Sequence, residues 1–499
     1  MPTRRQDTAI IVGAGVAGLA TAAHLAQRGF KVIVLEKNAR PGGRCDRFER
    51  DGYYFDSGPT LYVMPLLYES EFNQLGISAR EALDLQRVDP SYHLYFEDGS
   101  RLALTSDLKR LGEQIEEFES GSSVKLHAYL AEGGRNYDLA FKHLVLRDFR
   151  RAIDFFNLRN VPLLFQVKAL SRHYPHMRTY FDDPRLKAAF TFQDMYMGLS
   201  PFEAPSTFSL MQYSELAHGV WYPRGGMYRI VETLLKCAVD AGAQVHMHTQ
   251  VERIDTNDDR AVGVTLENGE RLKADVIIAN ADLPYVYDKL LPANGAMKRL
   301  ERKRYSCSTL SFFWGLNREI PDLEAHMLFI ADDYRGGFHA LQGGNLPDKP
   351  SLYVHTPTRL DPSLTPAGCD SLIGIVPVGN LDANPEEDWQ ATRDRAREAI
   401  FERLTSIGIS SIRERIEFEV CYTPCSWRKR YNLFKGATHG LSHTLTQMAY
   451  MRPHNRHKRY RNLYFAGAST HPGTGVPTVL VSARLAAERI LDDLGRGKG

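Results

Sequence analysis

Ala9-Ile-Ile-Val-Gly-Ala-Gly-Val-Ala-Gly-Leu-Ala-Thr-Ala-Ala23, followed by Lys31-Val-Ile-Val-Leu-Glu36, decides the fold. Ile10, Ile11 and Val12 read as a short buried strand, and an Ala- and Leu-rich helix follows to about Arg28, with Gly29 as its cap. Between them Gly13, Gly15 and Gly18 stand in G-x-G-x-x-G. Gly13 permits the tight turn, Gly15 lets backbone approach a pyrophosphate, and Gly18 lets the helix lie close to the strand. Amides at the helix N-terminus then face the phosphate. Lys31 to Leu35 make a second strand that ends at Glu36, 18 positions after Gly18, where a carboxylate accepts hydrogen bonds from adenosine ribose hydroxyls. Strand, helix, strand and terminal acid in register predict a dinucleotide-binding unit, with Lys37 beside the acid. Arg4 and Arg5 ahead of this run give it the look of a secretory signal, but cleavage would discard all three glycines, so no signal peptide is expected.

The residues around this unit choose between flavin and nicotinamide. Arg40-Pro-Gly-Gly-Arg44 adds flexible backbone at Gly43 and guanidinium groups, Arg44 among them, that can neutralise the same diphosphate. Gly52-Tyr-Tyr-Phe-Asp-Ser-Gly-Pro59 then reads as a strand running into a turn at Gly58 and Pro59. Trp221 to Met227 precede a predicted helix over 228–241 and a strand over 243–247. Thr249 to Ile254, with Val251 expected against the cofactor, precede strands over 261–266 and 271–273. Near the C-terminus, Asn462 to Pro477 read as a strand, a Gly-rich loop and the start of a helix over 478–494. Gly467, Gly473 and Gly475 let backbone lie against a flavin. The helix start at Val476 and Pro477 aims amides at a ring that becomes anionic on reduction. FAD is the expected cofactor, because NAD would leave Arg40 to Arg44 and Ala466 to Pro477 unused.

The predicted fold class is α/β: a Rossmann-like FAD-binding domain with an inserted α+β substrate domain and a helical membrane-facing subdomain. The cofactor domain is expected from 1–75, 222–285 and 455–499, the substrate domain from 76–110, 205–221 and 286–454, and the helical subdomain from 111–204. Insertion accounts for the lack of a Gly/Ser linker between them.

Composition narrows the partners. The 499 residues carry 62 Lys plus Arg against 60 Asp plus Glu and are 43% hydrophobic, which excludes disorder and leaves no whole-chain field for nucleic acid, so no nucleic-acid partner is expected. Six cysteines do not make a disulfide scaffold, and Cys421 and Cys425 lack a second pair at metal spacing, so no metal is expected. No run of about 20 apolar residues is present, so no spanning helix is expected.

Gly219-Val-Trp-Tyr-Pro-Arg-Gly-Gly226, Val276-Ile-Ile-Ala-Asn-Ala-Asp282, His454-Asn-Arg456 and Ala466-Gly-Ala-Ser-Thr-His-Pro-Gly-Thr-Gly-Val-Pro477 resemble the bacterial and fungal phytoene desaturase family, a branch of the amine oxidase-like flavoproteins. Phe190 to Phe202 resemble the same family's substrate side. The resemblance covers nearly the whole chain and is weakest from about Asp107 to Tyr180. It implies that FAD takes hydride from a long apolar isoprenoid such as phytoene, introducing successive double bonds in carotenoid biosynthesis, with oxygen or a quinone as electron acceptor. Relatives with these motifs also act as isomerases, oxygenases or desaturases of other carotenoids, and those activities stay open. An amine oxidase would share the cofactor motifs but would need an aromatic cage or a carboxylate-binding Arg.

A substrate without polar groups is recognised by apolar area and shape. Phe192, Met195, Tyr196, Trp221 and Phe313 are the expected lining. Such a substrate also calls for a membrane surface. Phe141 to Phe181 mix bulky apolar residues with eight Lys or Arg against Asp148 and Asp154, a balance of +6, which suits a peripheral, monotopic element on the cytoplasmic side of a membrane. Asp154, interrupting that apolar stretch with Arg159 nearby to orient it, is the expected catalytic base. Asp148, Glu215 and His471 are weaker candidates.

Overall fold

A strand buried on both faces needs apolar side chains at consecutive positions, and Ile10 to Val12 supply them. The computed structural model describes residues 6–293 and 295–497. In it, Thr8–Val12 is the middle strand of a five-stranded parallel sheet. Lys31–Leu35 and then Gln244–His246 lie on one side, and Val276–Ala279 and then Leu463–Phe465 on the other. The sheet thus draws strands from both ends of the chain and from its middle. Arg4 and Arg5 lie outside the described residues.

Alternation along each strand divides the sheet into two cores. Ala9, Ile11, Val32, Val34 and Ile278 pack with the helices Val16–Ala26, Arg229–Asp240 and Val476–Asp493. Ile10, Val12, Leu35, Ile277 and Phe465 face the opposite side, against an antiparallel sheet of Val251–Asn257, Arg260–Leu266 and Arg271–Lys273. The first helix is buried along its whole length. It lies close to the glycine turn, since a Cβ at Gly18 would sit 2.2 Å from the Gly13 carbonyl oxygen. It ends at Ala26, short of the expected Arg28, because Gly29 at φ +81° already turns the chain toward the second strand. The last helix begins at Val476, two residues early, because Pro477 sits in a first turn where its missing N–H costs nothing.

A second sheet has seven strands in the order Ile416–Tyr422, Ser308–Leu316, Asp370–Val378, Leu352–His355, His326–Ile330, Tyr92–Phe96 and Arg101–Leu104. Leu310, Phe312, Trp314 and Leu316 face the Trp389–Ser406 helix. Phe313 points the other way, into a cluster with Phe48, Phe55, Ile373 and Phe418. The Val220–Pro223 strand pairs with Leu85–Val88 and spans the division expected between residues 221 and 222.

Between the sheets, Ser122–Ala140 packs against Ser209–His218, close enough that a Cβ at Gly133 would sit 2.8 Å from the Tyr213 Cβ. The long helix runs into one wide turn, Phe141–Val145, and then into the short helices Ala152–Phe155 and Asn160–Gln166. Of the 11 large hydrophobic residues exposed among the described residues, six lie here: Ile153, Phe156, Leu158, Val161, Phe165 and Leu170. Each is at least half exposed, Leu158 90%. No described helix is long and apolar enough to cross a membrane.

Candidate active site

A cavity of about 670 Å³ runs between the parallel sheet and the seven-stranded sheet. Gly13, Gly15, Glu36, Lys37, Gly43, Arg44, Gly58, Pro59, Val251, Gly467, Gly475, Val476 and Pro477 all line it. Gly18 is set back, holding helix against turn.

The cofactor end is built on backbone. Glu36 is buried; its Oε2 accepts the Ala14 N–H at 2.8 Å and its Oε1 the Asn38 N–H at 2.8 Å. Gly42 donates to the Ala14 carbonyl at 2.8 Å, and a Cβ at Gly43 would sit 3.4 Å from the Gly15 Cα, so two glycine turns meet face to face. Arg44 donates to the Thr438 carbonyl at 3.0 Å; burial pulls its guanidinium down, and Asp282 only partly offsets this. A cation short of charge compensation beside closely approached glycine backbone suits a diphosphate. Lys37 donates to the Asn432 Oδ1 at 3.0 Å.

The Gly-rich loop closes the cavity from the C-terminal side. Gly467 has φ +127°, and a Cβ there would lie 2.9 Å from the Asn280 Nδ2, which donates to the Ala466 carbonyl at 2.8 Å. Arg452, which sequence reading missed, is fully buried and fixes this loop to the one before it. Its guanidinium donates to the carbonyls of Thr470 and Ala468 on one side and of Leu441, Ser442 and Gln447 on the other. Nothing in its local sequence marks an arginine that will bond only carbonyls. These features together form a cradle whose carboxylate, buried guanidinium and glycine backbone fit FAD.

Beyond this cradle the wall becomes apolar. Phe192, Met195 and Tyr196 line it, with Tyr92, Leu328, Ile330 and Tyr353. Trp221 and Phe313, expected here, do not. The Trp221 indole N–H donates to the His218 carbonyl at 3.0 Å and its ring stacks under Arg80. Phe313 shares a face of its strand with the wall residues Thr309 and Ser311 but lies further along it, beyond the cavity, in the cluster with Phe48 and Phe55.

The expected base is also corrected. Asp154 accepts the Arg151 N–H at 2.8 Å and the Arg150 N–H at 3.1 Å, capping the Ala152–Phe155 helix away from the cavity. The Arg151 amide holds its carboxyl below the usual range. Arg159 is exposed at the start of the next helix and orients no cavity group. Asp148 is engaged by Arg150 at 2.8 Å and Arg489 at 3.3 Å. His471 does line the cavity, but burial pulls its imidazole down to about 4.

Glu215 is different: it lines the cavity, is 1% exposed, and is pushed up to about 8 by burial, against opposing hydrogen bonds from Tyr92 and Tyr196. Its spacing of four from Met211, another wall residue, is the signal that could have raised its rank. Among the described residues no cluster of three or more His, Cys, Asp or Glu could hold a metal.

Comparison with known proteins also points to a flavin. The family model for flavin containing amine oxidoreductase matches residues 16–491. A zeta-carotene-forming phytoene desaturase from Myxococcus xanthus is 42% identical, over 97% of this chain and 93% of that protein. A phytoene desaturase from Neurospora crassa is 40% identical, over 98% of this chain and 86% of that one. Among solved structures, putrescine oxidase bound to putrescine superposes with a TM-score of 0.64 at 15% identity, covering 99% of this chain and 100% of that chain, a likeness of fold.

Proposed function

The chain belongs to the flavin containing amine oxidoreductase family and is a FAD-dependent oxidoreductase, and from that premise we propose that it is a carotenoid desaturase acting on phytoene. The observation that carries this reading is the continuity of one cavity, from the glycine turns and Glu36 to a wall of Phe192, Met195, Tyr196, Leu328 and Ile330. That wall offers a substrate shape and apolar area at about 25 cal/mol per Å² buried, which is what a hydrocarbon can use. FAD, when bound, supplies the hydride acceptor. The chain's own part is to hold FAD through Glu36, Arg44 and the 466–477 backbone, to align the polyene, and to exclude water. In this reading 1–75, 222–285 and 455–499 carry the cofactor, 76–110, 205–221 and 286–454 the substrate, and 111–204 the membrane contact.

The exposed apolar residues between Ile153 and Leu170, with Arg159 and Lys168 among them and Arg151 just before, support a peripheral seat on anionic lipid at the cytoplasmic face. Phe155, Leu164 and Ala169 of the same segment line the cavity, and the Phe149 ring packs edge-on to His471 at 5.5 Å. A hydrocarbon leaving the bilayer would thus meet the flavin loop directly. Electrons would pass on to oxygen or a quinone. The test is to incubate FAD-loaded protein with phytoene in liposomes, with air or a quinone. A coloured polyene product is expected, and an unchanged visible spectrum would overturn the reading.

A further inference from the structure

We propose that Glu215 is the catalytic base of the desaturation, the group on the cavity wall that takes the proton lost as each double bond forms. The inference rests on the desaturase reading above and deepens it. Glu215 is presented from the Ser209–His218 helix beside Leu210 and Met211, which line the same stretch of wall. Its Oε1 accepts the Tyr92 O–H at 3.1 Å and its Oε2 accepts the Gln193 Nε2–H at 3.2 Å. The Tyr196 hydroxyl donates in turn to Tyr92.

A buried carboxyl in an apolar cavity is costly unless a cation pairs with it, and among the described residues no Lys, Arg or His forms an ion pair with Glu215. Packing does not explain it either, since a Gln or Leu would fill the space. An unpaired carboxyl of this kind, facing a substrate cavity, is the environment of an acid–base group.

The reaction needs such a group. One C–H bond of the substrate breaks with its electron pair, leaving as hydride and reducing the flavin. The adjacent C–H bond breaks with its pair becoming the new π bond, and its proton passes to a Glu215 oxygen. Carbon is oxidised, flavin reduced, and the substrate stays uncharged. The hydrocarbon offers no acceptor of its own, and the other wall carboxyls are engaged: Glu36 by two backbone amides, Asp282 by the Ser469 hydroxyl at 2.5 Å and the Phe434 N–H at 2.9 Å. Burial holds the wall histidines His439, His443 and His471 below the usual imidazole range, which makes them poorer bases than Glu215.

The groups facing Glu215 do not compete with it for charge. Tyr92, Tyr196 and Tyr353 are raised by burial and stay neutral, and His326, whose ring tilts against Tyr92 at 6.1 Å, is held far below its usual range. Gln193 and Gln212 carry no charge. Glu215 is therefore the group here that changes charge near pH 8.

The test is anaerobic flavin bleaching by phytoene in liposomes, using FAD-loaded wild type, Glu215→Gln, Glu215→Asp and Tyr92→Phe. The wild-type rate should rise with pH, reaching half its maximum near 8 and levelling off above it. Glu215→Gln should keep its flavin spectrum but bleach about 100-fold or more slowly and lose that limb, and Glu215→Asp should recover part of the rate. Tyr92→Phe retains the carboxyl but loses a hydrogen bond that lowers its pKa, so its limb should move to higher pH. An infrared band of a protonated carboxyl that titrates near pH 8 and vanishes in Glu215→Gln gives a readout apart from turnover. Wild-type bleaching with Glu215→Gln equally fast and equally pH-dependent overturns the role of Glu215 and leaves the desaturase reading standing. No bleaching of wild type overturns the reading beneath it, and the assignment with it.

Discussion

The Glu36 carboxylate accepts the Ala14 backbone N–H at 2.8 Å, tying the end of the second strand to the turn between Gly13 and Gly15. The same carboxylate lines the cavity, so one side chain both shapes the turn and, in the proposed reading, is placed to meet the ribose of FAD. Charge-assisted hydrogen bonds contribute about 1.5–3 kcal/mol each, so Glu36→Ala should weaken FAD binding roughly 10- to 100-fold. Flavin titration of the apoprotein measures this. Binding at wild-type strength would show that the acid serves only the turn.

Arg452 holds five carbonyls from two loops, and its removal would take this donor from all five, leaving only that of Ser442 with another side-chain donor, the Gln447 amide. Each orphaned polar group costs about 1–3 kcal/mol, so Arg452→Ala should lose at least about 3 kcal/mol of stability even after relaxation. Thermal unfolding would register that loss, together with release of FAD at lower temperature. Arg452→Lys should recover little, because three donors on a point charge cannot span both loops.

Asp154→Asn should retain full turnover with FAD bound. An Asn accepts the same backbone amides, and the cap itself is worth about 1 kcal/mol. Steady-state rates and chemical unfolding separate the two effects. A large fall in rate with FAD retained would restore Asp154 to the chemistry.

Glu215 also sets the sign of a stability change with pH. Its folded-state pKa lies above the usual value of 4.5, at about 8, so the folded protein favours the protonated acid. That contribution is fully present below about 4.5 and is lost as pH rises toward 8. Glu215→Gln, which never ionises, should therefore gain stability relative to wild type across this window. A stability difference that is flat with pH would mean that Glu215 titrates as an ordinary carboxyl.

Replacing Phe156, Leu158 and Phe165 together by Glu removes bulky apolar contacts and adds like charge toward an anionic surface. Flotation with anionic liposomes at low salt should be abolished, while flavin content and activity toward detergent-dispersed phytoene stay near wild type. Flotation that is unchanged would place the membrane contact elsewhere.

The cofactor cradle was legible in sequence because its requirements are local: glycine at Gly13 and Gly15, acid at Glu36, backbone freedom at Gly467. The substrate wall was legible only in part. Phe192, Met195 and Tyr196 follow a motif, whereas Phe313 lies on the same strand face as the wall residues Thr309 and Ser311 and is kept from the cavity by its place along the strand, where Phe48 and Phe55 cover it. Asp154 misled because a carboxylate interrupting an apolar run signals a helix cap as readily as a base, and only the Arg150 and Arg151 amides decide between them. Arg452 was hidden, and Glu215 ranked below Asp154, for a common reason: partners such as Ala468 and Tyr92 are remote in sequence, and burial is a property of the assembled fold.

The most direct measurement of the central claim is the visible spectrum of FAD-loaded protein given phytoene in anionic liposomes without oxygen. The account expects flavin absorbance to bleach in step with the appearance of a longer conjugated polyene, and further colour when air or a quinone is admitted. A flavin that stays oxidised and a phytoene spectrum that stays unchanged under both conditions would contradict it.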